Sequence, residues 1–227
     1  MGFQGVRNIW GDEYKCLDEV LESTAQALFK MESPGGLELP SKTRLSEQEP
    51  RFLFCYELQH RKVRFALEHP TRYKYRWANS DLLLQGTNRQ EVGTRARVDV
   101  SIFEHQQTSE LPMINVEFKA GLPPEKSIIQ DLVKLVREQG KGIWFLTLPL
   151  HMNDDKARLA SLERNLKGAL TKVAHVETEN RSNEQVYLFF VDPSKGSYHG
   201  KFLNRQIWEN PDELFKTGDG APFYEAW

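Results

Sequence analysis

Residues 142–148, GIWFLTL, form a nearly continuous apolar run between two segments that have helical periodicity. A strand with one face in water alternates apolar and polar residues, whereas a continuous apolar run is typical of a central strand buried on both faces. A sheet buried in this way needs a helical layer on each side. The sequence therefore predicts an α/β fold in which a central mixed β-sheet is flanked by helices on both faces.

Hydrophobic periodicity and chain breakers predict the other elements. The pattern indicates helices at 12–31, 51–68, 123–139 and 153–173, and strands at 73–78, 97–103, 113–120, 142–148 and 185–191. A helical projection of 51–68 at 100° per residue predicts one broad apolar face made of Phe52, Cys55, Tyr56, Val63, Ala66 and Leu67. We expect residues 1–50 to be an N-terminal helix and a polar linker packed on the core. We expect residues 51–227 to be the main domain, ending in a loop-rich, aromatic C-terminal extension that wraps onto it.

Composition argues against several classes of protein. The 227 residues include 30 Lys and Arg against 32 Asp and Glu, and this net charge of −2 excludes a polybasic nucleic-acid coat protein. Cys16 and Cys55 are far apart, so zinc fingers, cysteine-ligated iron–sulfur clusters and a disulfide scaffold are not expected. The sequence has no apolar run typical of a membrane span or a secretory signal. We therefore expect a cytoplasmic protein with no membrane partner.

Charged residues interrupt two of the apolar strands. Asp99 lies within RVDVSIF, and Glu117 and Lys119 lie within MINVEFKA. Side chains at i and i+2 of a strand share a face, so Glu117 and Lys119 point the same way. If the strands pair as antiparallel neighbours, Asp99 and Glu117 lie across from each other and repel unless a cation lies between them. Such oxygen ligands suit Mg²⁺ or Mn²⁺, and a lysine beside them equips the site for metal-assisted phosphodiester hydrolysis.

Asp99, followed eighteen residues later by Glu117-Phe118-Lys119, resembles the motif of the PD-(D/E)XK nuclease superfamily. Val98 stands where the motif has proline, a position that varies within the superfamily. Residues 51–148 also resemble the restriction-endonuclease-like core of that family, whose order is helix, three strands, helix and strand. The resemblance implies a restriction-endonuclease-like fold and a Mg²⁺-dependent nuclease, with Mn²⁺ as a substitute metal.

The resemblance also implies roles for individual residues. Asp99, Glu117 and the main-chain carbonyl of Phe118 would bind the metal, and Lys119 would position the attacking water or stabilise developing charge. Family members often add a carboxylate from the first core helix and a polar residue from the helix after the motif strand. The matching positions here are Glu57, with Glu68 as second choice, and Gln130.

Basic residues concentrate beside the proposed site. Between Arg51 and Arg97 there are ten Lys or Arg and four Asp or Glu, a local excess of six positive charges. Contacts from such residues to phosphates give affinity without reading the base sequence. The expected partner is a nucleic acid, with DNA favoured, and its backbone would contact Arg61, Arg64 and Lys74.

Two alternatives stay open at this point. The chain is a non-catalytic nucleic-acid- or protein-binding module with the same fold, or a structural module of an unrelated α/β fold. In both cases Glu117 and Lys119 pair with each other or with neighbours, and Asp99 is an ordinary polar residue of a strand. Failure of the three side chains to converge would argue against catalysis. The length suits a monomer or a homodimer that cuts both strands.

Overall fold

The computed structural model describes residues 15–32, 45–75, 94–104, 111–138, 140–149, 156–176 and 186–215. Six strands form one sheet in chain order: β1 (Arg64–Tyr75), β2 (Thr94–Phe103), β3 (Ile114–Ala120), β4 (Lys141–Thr147), β5 (Val186–Asp192) and β6 (Ser197–Phe202). The helices are α1 (Lys15–Glu32), α2 (Gln48–His60), α3 (Glu125–Arg137), α4 (Lys156–Val176), α5 (Arg205–Glu209) and a 3₁₀ helix (Pro211–Phe215).

The sheet is mixed. Strands β1, β2 and β3 are antiparallel neighbours, β3, β4 and β5 run parallel, and β6 pairs antiparallel with β5. Parallel neighbours need a crossover connection, and here α3 and α4 supply the two crossovers. The expected antiparallel pairing of β2 with β3 is confirmed.

Side chains that alternate along β4 divide the core into two layers. Ile143 and Phe145 pack with apolar residues of α1 and α2 on one face of the sheet. Trp144 and Leu146 pack with α3, α4, α5 and the 3₁₀ helix on the other face. The prediction of an α/β sheet with helices on both faces is therefore confirmed, and β4 is a strand buried on both sides.

Helix α2 ends at His60 rather than near Glu68. Lys62 adopts a left-handed conformation with φ of 58°, and the N–H groups of Lys62 and Val63 donate to the carbonyls of Gln59 and Leu58. These two bonds form a Schellman motif, which usually has glycine at the left-handed position. Lysine holds that position here, so the sequence carries no recognisable stop signal. Residues 64–72 are strand, and the predicted helix over 51–68 is wrong in its second half.

The buried face of α2 also differs from the predicted one. Pro50, Phe54 and Leu58 are buried against the sheet. Phe52 and Tyr56, which the projection placed on the apolar face, are 71% and 56% exposed. The helical projection of residues 51–68 failed because it counted Ala66 and Leu67, which belong to β1, as helix residues. Including them shifted the calculated direction of the apolar face of the helix.

Helix α1 and the elements that follow β5 are parts of the two core layers or of the sheet itself. Apolar residues of α1 belong to the same core layer as Phe54 and Phe145. The predicted boundary at residue 50 falls inside the first turn of α2. The C-terminal segment, predicted to be loop-rich, contains β6, α5 and the 3₁₀ helix, while residues 216–227 lie outside the described residues.

A break in the register of β1 is stabilised by Glu138. The pairing of β1 with β2 shifts between Pro70 and Lys74, which displaces main-chain N–H groups from the ladder. The N–H groups of Arg72 and Tyr73 donate to the Glu138 carboxylate at 2.8 and 3.2 Å, and the Tyr75 hydroxyl donates to it at 2.8 Å. One buried side chain at the end of α3 thus fixes the path of an edge strand.

Phe54→Ala should lower the free energy of unfolding by about 3–5 kcal/mol, because it leaves a cavity between α2 and the sheet. Phe52→Ala, two positions away and exposed, should change it by less than about 0.5 kcal/mol. Urea unfolding followed by circular dichroism measures both. Equal losses would contradict the observed orientation of α2.

Glu138→Ala should lower the free energy of unfolding by about 3 kcal/mol, since it leaves two main-chain donors and a buried hydroxyl without their acceptor. Tyr75→Phe removes only one of these bonds and should cost about 1 kcal/mol. The same urea titration compares them, and a Glu138→Ala loss no larger than that of Tyr75→Phe would refute the role given to Glu138.

Candidate functional site

Asp99 lies where β2 and β3 begin to separate. The regular pairing of the two strands extends to Val100 opposite Val116. One residue earlier on β2, Asp99 Oδ2 accepts a hydrogen bond from the main-chain N–H of Phe118 at 2.8 Å. The carboxylate thereby takes the place that a main-chain carbonyl would occupy in the ladder. Asp99 is thus anchored beside the residue that separates Glu117 from Lys119.

The alternation of β3 places Glu117 and Lys119 toward α3. Val116 and Phe118 point the other way, into the core layer of α1 and α2, where the rings of Phe118 and Phe54 lie 5.5 Å apart. Glu117 is only 2% exposed, and Lys119 is largely buried. Buried charges of this kind are costly unless they are paired.

Helix α3 supplies partners for both charges. Lys134 Nζ lies 2.5 Å from Glu117 Oε1 and 3.5 Å from Asp131 Oδ1. Asp131 Oδ2 lies 3.1 Å from Lys119 Nζ and also accepts a hydrogen bond from the Trp144 indole N–H at 3.3 Å. The four side chains therefore form an alternating chain of carboxylates and ammonium groups between β3 and α3.

Residues at the start of α2 and on β1 continue this arrangement toward solvent. Glu47 Oε1 lies 3.5 Å from Lys119 Nζ, and Arg51 Nη1 lies 3.5 Å from Asp99 Oδ1. The same guanidinium donates to Glu68 Oε1 at 2.6 Å. Glu47 and Glu68 are the most exposed carboxylates of the group, so the arrangement opens to water on this side.

We call these eight residues the charged cluster: Glu47, Arg51, Glu68, Asp99, Glu117, Lys119, Asp131 and Lys134. When all are ionised, five carboxylates face three cations and leave two negative charges in excess. Burial, reinforced by the charges of Asp131 and Asp99, raises the pKa of Glu117 well above its ordinary value. Burial lowers the pKa of Lys119, but Asp131 and Glu47 outweigh it and raise that pKa above its usual range. The cluster therefore has a capacity for additional positive charge.

The structure brings Asp99, Glu117 and Lys119 together and leaves Glu57 elsewhere. Glu57 pairs with Arg61, which also contacts Ser23 and Glu19 of α1. Ten residues of helix separate Glu57 from Glu47, a distance of about 15 Å along the axis. The carboxylate of this region that approaches Lys119 is Glu47, which lies in the predicted linker and has no distinguishing sequence signal.

Two further observations concern Gln130 and the Phe118 carbonyl, both predicted from the sequence to belong to the site. Asp131 and Lys134 of α3 reach β3, whereas Gln130 is not among the side chains of the charged cluster. The Phe118 carbonyl, predicted to be a metal ligand, accepts a hydrogen bond from Lys119 Nζ at 3.2 Å. Asp131 could have been found from its position one turn from Ile128 and from Leu135, both of which are core residues.

The three basic residues predicted to contact nucleic acid lie outside the charged cluster. Arg61 is on the C-terminal side of α2 and pairs with Glu57. Arg64, predicted on a helix, is on β1 and its guanidinium lies 5.3 Å from the centre of the Phe103 ring. Lys74 is exposed on β1, directly opposite Arg95 of β2. Of the three predicted contact residues, Arg64 and Lys74 therefore lie on the same strand, and Arg61 lies apart from them beside α2.

The chain matches no family model, no curated protein and no solved structure in the three comparisons made with known proteins. Within the described segments, no group of three or more His, Cys, Asp or Glu side chains has an arrangement that would hold a metal ion. None of the described helices combines the length and apolar character needed to cross a membrane.

Lys134→Met should lower the free energy of unfolding by about 3 kcal/mol or more, because it leaves Glu117 buried without its cation. Adding Glu117→Gln to this variant should recover part of the loss, since the double variant has no uncompensated carboxylate at that position. Lys126→Met, an exposed position on the same helix, is the matched control and should have little effect. Additive losses in a urea double-mutant cycle would contradict the pairing.

Proposed function

We propose that this protein is a metal-dependent nuclease of the PD-(D/E)XK type that hydrolyses phosphodiester bonds, with DNA as the favoured substrate. The observation that carries the proposal is that Asp99 on β2 and Glu117 and Lys119 on β3 belong to one charged cluster, in which Asp99 bonds to the main chain of Phe118 between the other two. Their surroundings carry an excess of negative charge, which is what a divalent cation would neutralise.

The order of elements supports the same proposal. Helix α2, strands β1 to β3, helix α3 and strand β4 follow each other in the order that the resemblance implies. The first three strands are antiparallel neighbours, and β4 lies parallel to β3. Other α/β domains use similar elements, so the site residues rather than the topology carry the functional argument.

A Mg²⁺ ion is compatible with the residues present if Lys134 moves. Glu117 Oε1 is buried, and Lys134 Nζ lies 2.5 Å from it, where a metal bound to this oxygen would compete with the ammonium group. Mg²⁺ is commonly held by one or two carboxylates, with water and substrate phosphate completing its coordination. Asp99 and Glu117 are the two carboxylates that would hold it, so a group of three protein ligands is not required.

Each residue then has a distinct task. Bound Mg²⁺ supplies Lewis acidity at the phosphate and lowers the pKa of a water molecule. Lys119, held by Asp131 on one side and Glu47 on the other, keeps its ammonium group beside the carboxylates and orients a phosphate oxygen or water. Arg51 fixes the orientation of the Asp99 carboxylate and links it to Glu68.

A non-catalytic binding module is the second candidate, and one observation favours it. Lys134 already neutralises Glu117, and Asp131 already neutralises Lys119, so the cluster is partly satisfied without a metal. In this case the charged cluster stabilises the packing of α3 on the sheet. The two candidates differ in whether Mn²⁺ binds to Asp99 and Glu117.

Asp99→Asn and Glu117→Gln should each reduce cleavage of end-labelled DNA by about 100-fold or more, since loss of one group that stabilises transition-state charge costs on the order of 10²–10³. Chelation with EDTA should abolish cleavage. Glu57→Gln is the matched control, because it removes a carboxylate that is paired with Arg61 outside the cluster. Single-stranded DNA, duplex DNA and RNA of one sequence are compared by gel electrophoresis.

Mn²⁺ titration calorimetry separates the two candidates. The nuclease proposal expects binding to the wild type and to Glu57→Gln, and weak or no binding to Asp99→Asn. Cleavage that survives in Asp99→Asn and Glu117→Gln would refute the assignment of these residues. Nucleic-acid binding by a wild type that neither binds Mn²⁺ nor cleaves would favour the non-catalytic module.

A further inference from the structure

A groove of about 650 Å³ lies next to the charged cluster, between β1, β2, β3 and the end of α3. Its lining includes Asn115 of β3, which precedes Glu117 by two residues, a spacing of about 7 Å along the same face of the strand. It also includes Glu138, one helical turn after Lys134. The groove and the charged cluster are therefore neighbouring regions beside α3.

The charged side chains of the groove are mainly basic. Arg64, Arg72 and Arg95 line it, and Glu138 is the acidic residue that lines it with them. Glu138 is already engaged by the main chain of β1 and by Tyr75. Within the described part of the chain, neither Arg72 nor Arg95 forms an ion pair with a carboxylate, so their charges are available to an anionic ligand.

The register of the sheet adds a second argument for an anion. Arg95 of the groove lies directly opposite Lys74, an exposed residue of β1 that adjoins the groove without lining it. Like charges in directly opposed positions destabilise a sheet, and an anion bound between them relieves the repulsion. A phosphate group has the charge and the number of acceptor oxygens that two such side chains can share.

One wall of the groove carries a guanidinium next to aromatic rings. The Arg64 guanidinium lies 5.3 Å from the centre of the Phe103 ring, and the His69 ring meets the same ring edge-on at 5.3 Å. Guanidinium and aromatic groups are the side chains on which unpaired nucleobases stack. Apolar side chains such as Phe65 and Val98 form other parts of the lining.

We propose that this groove binds one unpaired nucleotide of a single-stranded nucleic acid, with its base on the Arg64–Phe103 surface and its phosphates on Arg72 and Arg95. The inference rests on the proposed function for the link between the groove and cleavage. An unpaired base is required because a base inside a duplex does not expose the face that would stack.

The test measures fluorescence anisotropy of a labelled single-stranded DNA oligonucleotide in EDTA, where neither metal nor cleavage contributes. Arg72→Gln combined with Arg95→Gln should weaken binding by about tenfold or more and lower the salt slope by about 1.4, the value for two phosphate contacts on a single strand. Arg158→Gln combined with Arg164→Gln on α4 is the matched control, because it removes the same two charges outside the groove, and it should leave binding unchanged.

A second variant tests the stacking surface without changing charge. Arg64→Lys should weaken binding of the single strand while the salt slope stays near that of the wild type. The wild type should also bind the single strand more tightly than the same strand annealed to its complement. Equal affinity for the two forms, or an Arg64→Lys variant that binds like the wild type, would overturn the stacked base.

These experiments distinguish failure of the groove proposal from failure of the proposed nuclease function. Wild-type protein that does not bind the oligonucleotide, or equal losses in the Arg72/Arg95 and Arg158/Arg164 variants, would overturn the groove proposal whatever the cleavage assay gives. The Arg72/Arg95 variant should keep the wild-type Mn²⁺ affinity, because both residues lie outside the charged cluster. Arginine-dependent binding by a protein that neither binds Mn²⁺ nor cleaves would support the groove and contradict the nuclease.

Discussion

The pairing of charges between β3 and α3 is the constraint on which the rest of the site depends. β3 is buried on one face by an apolar core and must still accommodate Glu117 and Lys119 on the other. A lone buried carboxylate of this kind costs several kcal/mol, so α3 has to present Lys134 to Glu117 and Asp131 to Lys119. This pairing and the apolar face of α3 agree on one rotation of the helix, which places Glu138 where it accepts hydrogen bonds from the main chain of β1. The packing of the charged cluster and the shape of the neighbouring groove are thus consequences of one arrangement.

Burial within the charged cluster decreases from one end to the other. Glu117 and Asp131 are buried at its inner end, whereas Glu47 and Glu68 lie at its outer end, where they are exposed. A cation or phosphate entering from solvent would meet the exposed carboxylates and Arg51 first and then reach Asp99. Lys134 pairs with Glu117 at the inner end, so this interaction competes directly with binding of a metal. Whether the cluster serves catalysis or packing depends on the outcome of this competition.

The alternation of side chains along the strands predicted the parts of the site that lie on β2 and β3. Alternation placed Glu117 and Lys119 on one face, and the pairing of β2 with β3 brought Asp99 to the main chain of Phe118. The residues that other elements add to the charged cluster could not be predicted from strand alternation. Glu47 lies in a polar segment with no periodic pattern, and only the packing of α3 on the sheet brings Lys134 to Glu117. The end of α2 was missed because a lysine rather than a glycine adopts the left-handed conformation there. Because of that error, Arg64 was predicted on a helix instead of on β1, and the groove that it lines was not predicted.

The most direct test of the account is the anomalous diffraction of a crystal grown with Mn²⁺. We predict a manganese peak within ligand distance of both Asp99 and Glu117, at about 2.0–2.6 Å for oxygen ligands of a hard divalent cation. In that crystal, Lys134 Nζ should have left its position 2.5 Å from Glu117 Oε1. A fully occupied Mn²⁺ site elsewhere, with Lys134 still paired to Glu117, would contradict the central claim and leave the charged cluster as a structural feature of α3 packing.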